Sequence, residues 1–158
     1  MDLEKTLVIL KPDCVARRLI GKVIQRFEEK GLQIAGLKLI KISTPLARRM
    51  YAVHKGKDFY EPLIRFMTSG PVLVMCVQGK DAVNVVRKML GPTFGPEAPP
   101  GTIRGDFGMS KRYNLVHGSD SPTNARRELA LFFNPGELIT ADPADVKLIY
   151  DTTGPQWI

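Results

Sequence analysis

The chain has 158 residues, 44% of them apolar and 25% charged, which places it in the single-domain range and away from disordered compositions. Lys and Arg outnumber Asp and Glu by 23 to 16, and the formal charge of +7 favours an anionic partner such as a nucleotide, nucleic acid or acidic protein without choosing among them. The two cysteines, Cys14 and Cys76, lack CxxC spacing and suggest neither a disulfide framework nor a zinc knuckle; buried, inert thiols in a reducing compartment are expected. No stretch approaches the ~20 apolar residues of a membrane span, so a soluble, cytoplasmic protein without a membrane partner is expected.

In chain order, residues 6–11 (TLVILK) form a β-branched apolar run closed by Lys-Pro-Asp, a buried strand opening into a loop. Leu19, Ile20, Val23, Ile24 and Phe27 recur at helical spacing, Gly31 supplies a stop, and the chain then returns to strand composition up to Ile42. Thr44-Pro45 opens a short helix through Tyr51. After a polar link, His54 to Asp58, a box of Asp58 and Glu61 is expected to cap a helix through Leu63, Ile64, Phe66 and Met67. Residues 71–77 (PVLVMCV) read as a second buried strand, and Asp81 is expected to cap a helix with Val83, Val86 and Leu90 on one face, ended by Gly91-Pro92. From Gly91 to Gly108, five glycines and four prolines without apolar periodicity predict a long functional loop. Leu115-Val116 reads as a short last strand, Ser121-Pro122 opens a helix with Ala125, Leu129, Phe132 and Phe133, and the tail from Asn134 holds at most one short helix near 143–149. One domain over residues 1–158 is expected, with 134–158 as a C-terminal tail. The order of elements suggests an α+β, ferredoxin-like βαββαβ sandwich, an antiparallel sheet covered by helices.

Familiar phosphate motifs are missing. No GxG pair and no GxxxxGK[ST] occurs, so phosphates would have to be held by side chains, and the DFG at 106–108 lacks the rest of a protein-kinase signature. With one aromatic, RGDFGMSK is a poor RNA-stacking strand. His54 reads as a solvated residue of a polar link. His117 follows two apolar residues and precedes Gly-Ser-Asp-Ser, which would present its ring at a strand end. Catalytic and structural roles are both open on that placement, and an imidazole held in one tautomer is a good nucleophile near neutral pH. Lys11, Arg87 and Arg104 stand singly at element ends or in loops, a distribution that suits convergence on a polyphosphate as well as plain surface charge.

The segment Asn114-Leu-Val-His-Gly-Ser-Asp-Ser121 resembles the active-site signature of the nucleoside diphosphate kinase family. Lys11-Pro12-Asp13, residues 65–71 (RFMTSGP) and residues 100–107 (PGTIRGDF) match further family motifs in the same order, and the likeness runs from about Glu4 to at least Leu138. The resemblance implies that His117 accepts the phosphate and that Glu128 orients it with Ser119 alongside. It further implies that Lys11, Tyr51, Arg87, Thr93 and Arg104 hold phosphates or flank the histidine. Asn114, with Lys11, would contact ribose hydroxyls, and Phe59 would stack on the base. The implied reaction is a ping-pong transfer from a nucleoside triphosphate to a nucleoside diphosphate, with Mg²⁺ held mainly by substrate phosphates. Broad base tolerance and a homo-oligomer, hexamer or tetramer, are also implied, with contacts in Pro96 to Gly101 and the tail. A basic, non-catalytic nucleic-acid module is the alternative. Two departures bear on the site: Cys14 stands where the family has a glycine that could adopt positive φ, and Phe94-Gly95 replaces the usual Asn-Pro.

Overall fold

The computed structural model describes residues 3–140 and 143–154, with Pro143 placed by its backbone alone. Four strands form one antiparallel sheet: β1 (Glu4–Leu10), β2 (Gln33–Lys41), β3 (Pro71–Gly79) and β4 (Val116–Gly118), in the order β2-β3-β1-β4. This is the expected ferredoxin-like sandwich. The central strands β1 and β3 are covered on both faces, and for that reason their sequences are continuous apolar runs rather than alternating ones. Leu7, Ile9, Val72, Val74 and Cys76 point to one core, under α3 (Thr44–Met50), α4 (Tyr60–Met67) and α7 (Pro122–Phe132). Val8, Leu10, Leu73, Met75 and Val77 point to the other, under α2 (Ile20–Glu29) and α5 (Ala82–Leu90). The alternation follows from the two-residue period of a strand.

Several local expectations hold. The chain leaves α2 through Lys30 into Gly31 at φ +85°, and Ser121 caps α7 by accepting the Asn124 N–H at 3.2 Å. Others need correction. Asp58 does not cap α4, whose N-cap position is Phe59 and has no side-chain cap. Asp81 occupies the N-cap of α5 at φ +53°, but its carboxylate accepts from Asn84; the helix is capped by Glu4 of β1, which accepts the Val83 N–H at 2.7 Å. Lys-Pro-Asp opens no loop but the short helix α1 (Pro12–Ala16), with proline at its first position, where no N–H is needed. The 91–108 segment is not structureless: it holds a 3₁₀ turn (Gly95–Glu97) and α6 (Ile103–Phe107), capped by Thr102, whose Oγ1 accepts the Gly105 N–H at 3.0 Å.

Residues 135–137 form another 3₁₀ turn and 143–149 the last helix, α8 (Pro143–Ile149). This tail packs on its own chain. Ile139 N–H donates to the Ala35 carbonyl at 2.8 Å, Val146 is buried, and the Tyr150 hydroxyl accepts the Lys80 N–H at 3.0 Å. Residues 141–142 and 155–158 of the expected tail lie outside the described residues.

Candidate active site

His117 lies within β4 rather than at its end, directly opposite Ile9 of β1. Paired residues share a face, so the imidazole emerges on the side of the sheet covered by α3 and α7. Glu128 arrives there from the second turn of α7 and places Oε2 3.0 Å from His117 Nε2. The same oxygen accepts the Ser119 hydroxyl at 2.6 Å, and Ser119 Oγ in turn receives the Leu7 N–H of β1 at 3.4 Å. Burial of Glu128 works against its charge, but hydrogen bonds from His117 and Ser119 and the nearby Arg127 hold the carboxyl below its ordinary value. An ionised carboxylate at this nitrogen keeps the ring proton on Nε2 and frees the lone pair of Nδ1.

The residue between Asn114 and Val116 explains how β4 is aimed. Leu115 sits at φ +72°, and the Val116 N–H returns to the Asn114 carbonyl at 2.8 Å, a tight γ-turn rarely tolerated by a bulky residue. The turn is pinned from α1. Asp13 Oδ2 accepts the Leu115 N–H at 3.1 Å, and the Lys11 N–H donates to the Leu115 carbonyl at 2.8 Å. Lys11 and Asn114 are thereby brought together, Nζ to Oδ1 at 2.7 Å, while Asn114 Nδ2 donates to the Thr93 carbonyl at 3.0 Å. Burial, followed by the charge of Arg104, lowers Lys11 to about 8 against the opposing pull of Asp13. Arg104 donates to the carbonyls of Asn114, Gly91 and Val116 at 3.3, 2.7 and 2.7 Å, locking α6 against the start of β4. Burial and then Arg87 bring Arg104 down to about 10, so it stays cationic at neutral pH.

These groups line one cleft of about 690 Å³, which contains Lys11, Tyr51, Phe59, Arg87, Thr93, Arg104, Asn114, His117 and Glu128 together. Ser119 is fully buried behind it as a partner of Glu128. Tyr51, the residue after α3, meets the His117 ring at a right angle with 6.0 Å between ring centres; its buried hydroxyl has no hydrogen-bond partner, and burial then the Glu128 charge keep it protonated. Phe59, at the mouth, is 43% exposed. His54, read from the sequence as solvated, is in fact part of this wall: its ring lies 6.3 Å from Tyr51 and 5.2 Å from Phe59. Lys111, Arg112, Asn124 and Arg127 also line the cleft without any signal of it in the sequence, as does Asp120, which the Asn114–Ser121 motif contains but for which no role was expected.

Both departures have a local structural basis. Cys14 is buried inside α1 and is not among the residues at positive φ, so no glycine is needed there; burial pushes its thiol up to about 12, leaving it inert. Gly95 is required by contact: a Cβ there would overlap the carbonyl of Gly108, where the 3₁₀ turn and the end of α6 pack together.

A ferredoxin-like sandwich whose edge strand turns a carboxylate-held imidazole toward converging cations defines an enzyme of phosphoryl transfer. Residues 4–138 match the family model described as "Nucleoside diphosphate kinase". A nucleoside diphosphate kinase of Sulfurisphaera tokodaii is 54% identical over 140 residues, covering 89% of this chain and 95% of its own length. One of Methanocaldococcus jannaschii is 54% identical over 135 residues, 85% of this chain and 96% of its own. Among solved structures, a halophilic nucleoside diphosphate kinase from Halobacterium salinarum in complex with CDP superposes with a TM-score of 0.91 at 43% identity, covering 95% of this chain and 100% of that one. The chain belongs to the nucleoside diphosphate kinase family.

Proposed function

We propose that this chain transfers the terminal phosphate of a nucleoside triphosphate to a nucleoside diphosphate in two half-reactions through a phosphohistidine at His117. The observation that carries the reading is the chain Ser119, Glu128, His117, which leaves Nδ1 as the lone-pair nitrogen beside a cation-lined cleft. Nδ1 attacks the γ-phosphorus, the bond to the β–γ bridging oxygen breaks, and the diphosphate departs with that electron pair. An oxygen of the second diphosphate then takes the phosphoryl group back. Glu128 stabilises the positive charge that develops on the ring.

Phosphoryl transfer asks for alignment and charge neutralisation more than for covalent help. Lys11, Arg87 and Arg104 supply the charge, with Thr93 beside them, and the unpartnered Tyr51 hydroxyl donates to a phosphoryl oxygen. Asn114 and Lys11 take the ribose hydroxyls, and Phe59 stacks on the base. Stacking reads a π-face that every base has, so broad base tolerance follows. Among the described residues no group of three or more His, Cys, Asp and Glu could hold a metal. Mg²⁺ would be carried mainly by substrate phosphates and water, and would supply further neutralisation of the departing diphosphate. We place the reaction in the cytoplasm, with the chain as one domain in a homo-oligomer of hexamer or tetramer type, contacts falling in Pro96 to Gly101 and the tail. No observation favours the nucleic-acid module.

Incubation with γ-labelled ATP should give a protein-bound label that is lost in acid, kept in alkali and chased by GDP. An unlabelled wild type, or a label that persists in His117→Ala, refutes the assignment.

A further inference from the structure

The guanidinium of Arg127 bridges two parts of the site, the Glu128 carboxylate of α7 and the end of α3 that leads into Tyr51. It stands on α7 next to Glu128, and its Nη2 lies 3.6 Å from Glu128 Oε1, the carboxylate oxygen not used by His117 and Ser119. The same group reaches across to the last turn of α3, donating to the carbonyls of Arg49 at 3.4 Å and Met50 at 3.3 Å. Carbonyls in a helix's last turn lack intrahelical partners and carry the negative end of its dipole, so a cation there is favoured twice over. The next residue after Met50 is Tyr51, whose ring meets His117 edge-on.

We propose that Arg127 is a positioning residue for phosphoryl transfer, fixing the Tyr51 end of α3 against the Glu128 carboxylate; this rests on His117 being the phosphate carrier. The planar fork suits these acceptors, with Nη1 serving Arg49 and Nη2 facing both Met50 and Glu128, whereas a lysine would meet them as a single point charge. The role is not chiefly one of stability. The Arg127 side chain is 39% exposed, and ion pairs so placed contribute little to folding. Glu128 is faced by His117 from β4, by Ser119 just beyond it, by Tyr51 after α3 and by Arg127 on its own helix. Among these Arg127 is the permanent cation. Its removal lets the carboxyl protonate at higher pH, so the acid limb of the rate profile moves upward.

The test is single-turnover phosphohistidine formation by the full chain from γ-labelled ATP, followed over about pH 5 to 9 beside thermal unfolding. Arg127→Gln keeps donors but removes the charge, and should slow labelling roughly tenfold, raise the acid limb and leave nucleotide KM within about twofold. Arg127→Lys should restore the acid limb without restoring the full rate. Wild-type rates and limbs in both variants, or equal losses with no displacement of the limb in Arg127→Gln, would overturn the proposal. A wild type that takes no label on His117 would instead overturn the function on which it stands.

Discussion

Glu128→Gln separates the charge of the carboxylate from its geometry. One oxygen, Oε2, receives both the His117 ring at 3.0 Å and the Ser119 hydroxyl at 2.6 Å. A glutamine that places its carbonyl there can still accept both, and its amide nitrogen falls on the Oε1 side, near Arg127, where it gains nothing. The ring therefore keeps its tautomer while losing the anion that favours the imidazolium-like transition state. A hydrogen bond to a charged partner contributes about 1.5–3 kcal/mol and a neutral one about 1, so roughly 0.5–2 kcal/mol is lost. That predicts phosphohistidine formation slowed by about 2- to 30-fold in rapid-quench single turnovers, with little change in nucleotide affinity. Glu128→Ala removes orientation as well, leaves the fully buried Ser119 hydroxyl without its acceptor, and should cost at least tenfold more. Should Gln and Ala fall by the same factor, charge is not what Glu128 contributes. Should Gln match wild type, the anion has no part in the chemistry.

Lys11 gives the alkaline limb. Its folded pKa is about 8, lowered chiefly by burial, and the cationic form is the one that attracts phosphate, so kcat/KM in the free enzyme should fall as pH rises through about 8. An unchanged kcat/KM up to pH ~9.5 would contradict that placement. Phe59→Ala removes a half-exposed ring, and loss of stacking worth about 1–3 kcal/mol should raise KM by about 5- to 150-fold for all bases alike while the melting temperature holds; a loss confined to purines would count against simple stacking. Gly95→Ala drives a methyl into the Gly108 carbonyl at the end of α6, the helix that carries Arg104, so both stability and nucleotide KM should suffer. A variant with wild-type melting and KM would show that this loop relaxes freely.

Where burial dictates residue type over a long enough span, the fold was legible. Two-sided burial of β1 and β3 wrote unbroken apolar runs, and Leu19 through Phe27 marked the α2 face by spacing alone. A five-residue helix is little more than one turn, too short for apolar spacing to repeat, so α1 and α6 carried no such mark, although Pro12 and Thr102 sat in the right places for helix starts. The cap of α5 was hidden for a different reason. Its acceptor is Glu4, 79 residues earlier in sequence, while the nearby Asp81 looked the part and turned its side chain to Asn84. In the site, every residue expected from the family motifs lines the cleft or, as Ser119, backs it. His54 was missed because a polar link looks solvated until α3 and α4 fold its ring between Tyr51 and Phe59.

The placement of the nucleophile depends on a conformation that Leu115 adopts only because its surroundings insist. A left-handed leucine costs on the order of 1–3 kcal/mol, which must be offset by the bonds around it. Asp13 holds its N–H and the Lys11 N–H holds its carbonyl, while the guanidinium of Arg104 grips the carbonyls on either side, Asn114 and Val116. The turn thus ties the start of α1 and the helix α6 to the start of a strand only three residues long. Without it the chain would run straight from Asn114 into β4, and a one-residue slip would send the imidazole to the opposite face of the sheet, under α5, away from Glu128. Lys11 and Arg104 consequently have two roles that cannot be separated by charge alone. Their backbone and side-chain bonds set the register that aims His117, and the same cations border the cleft into which it points.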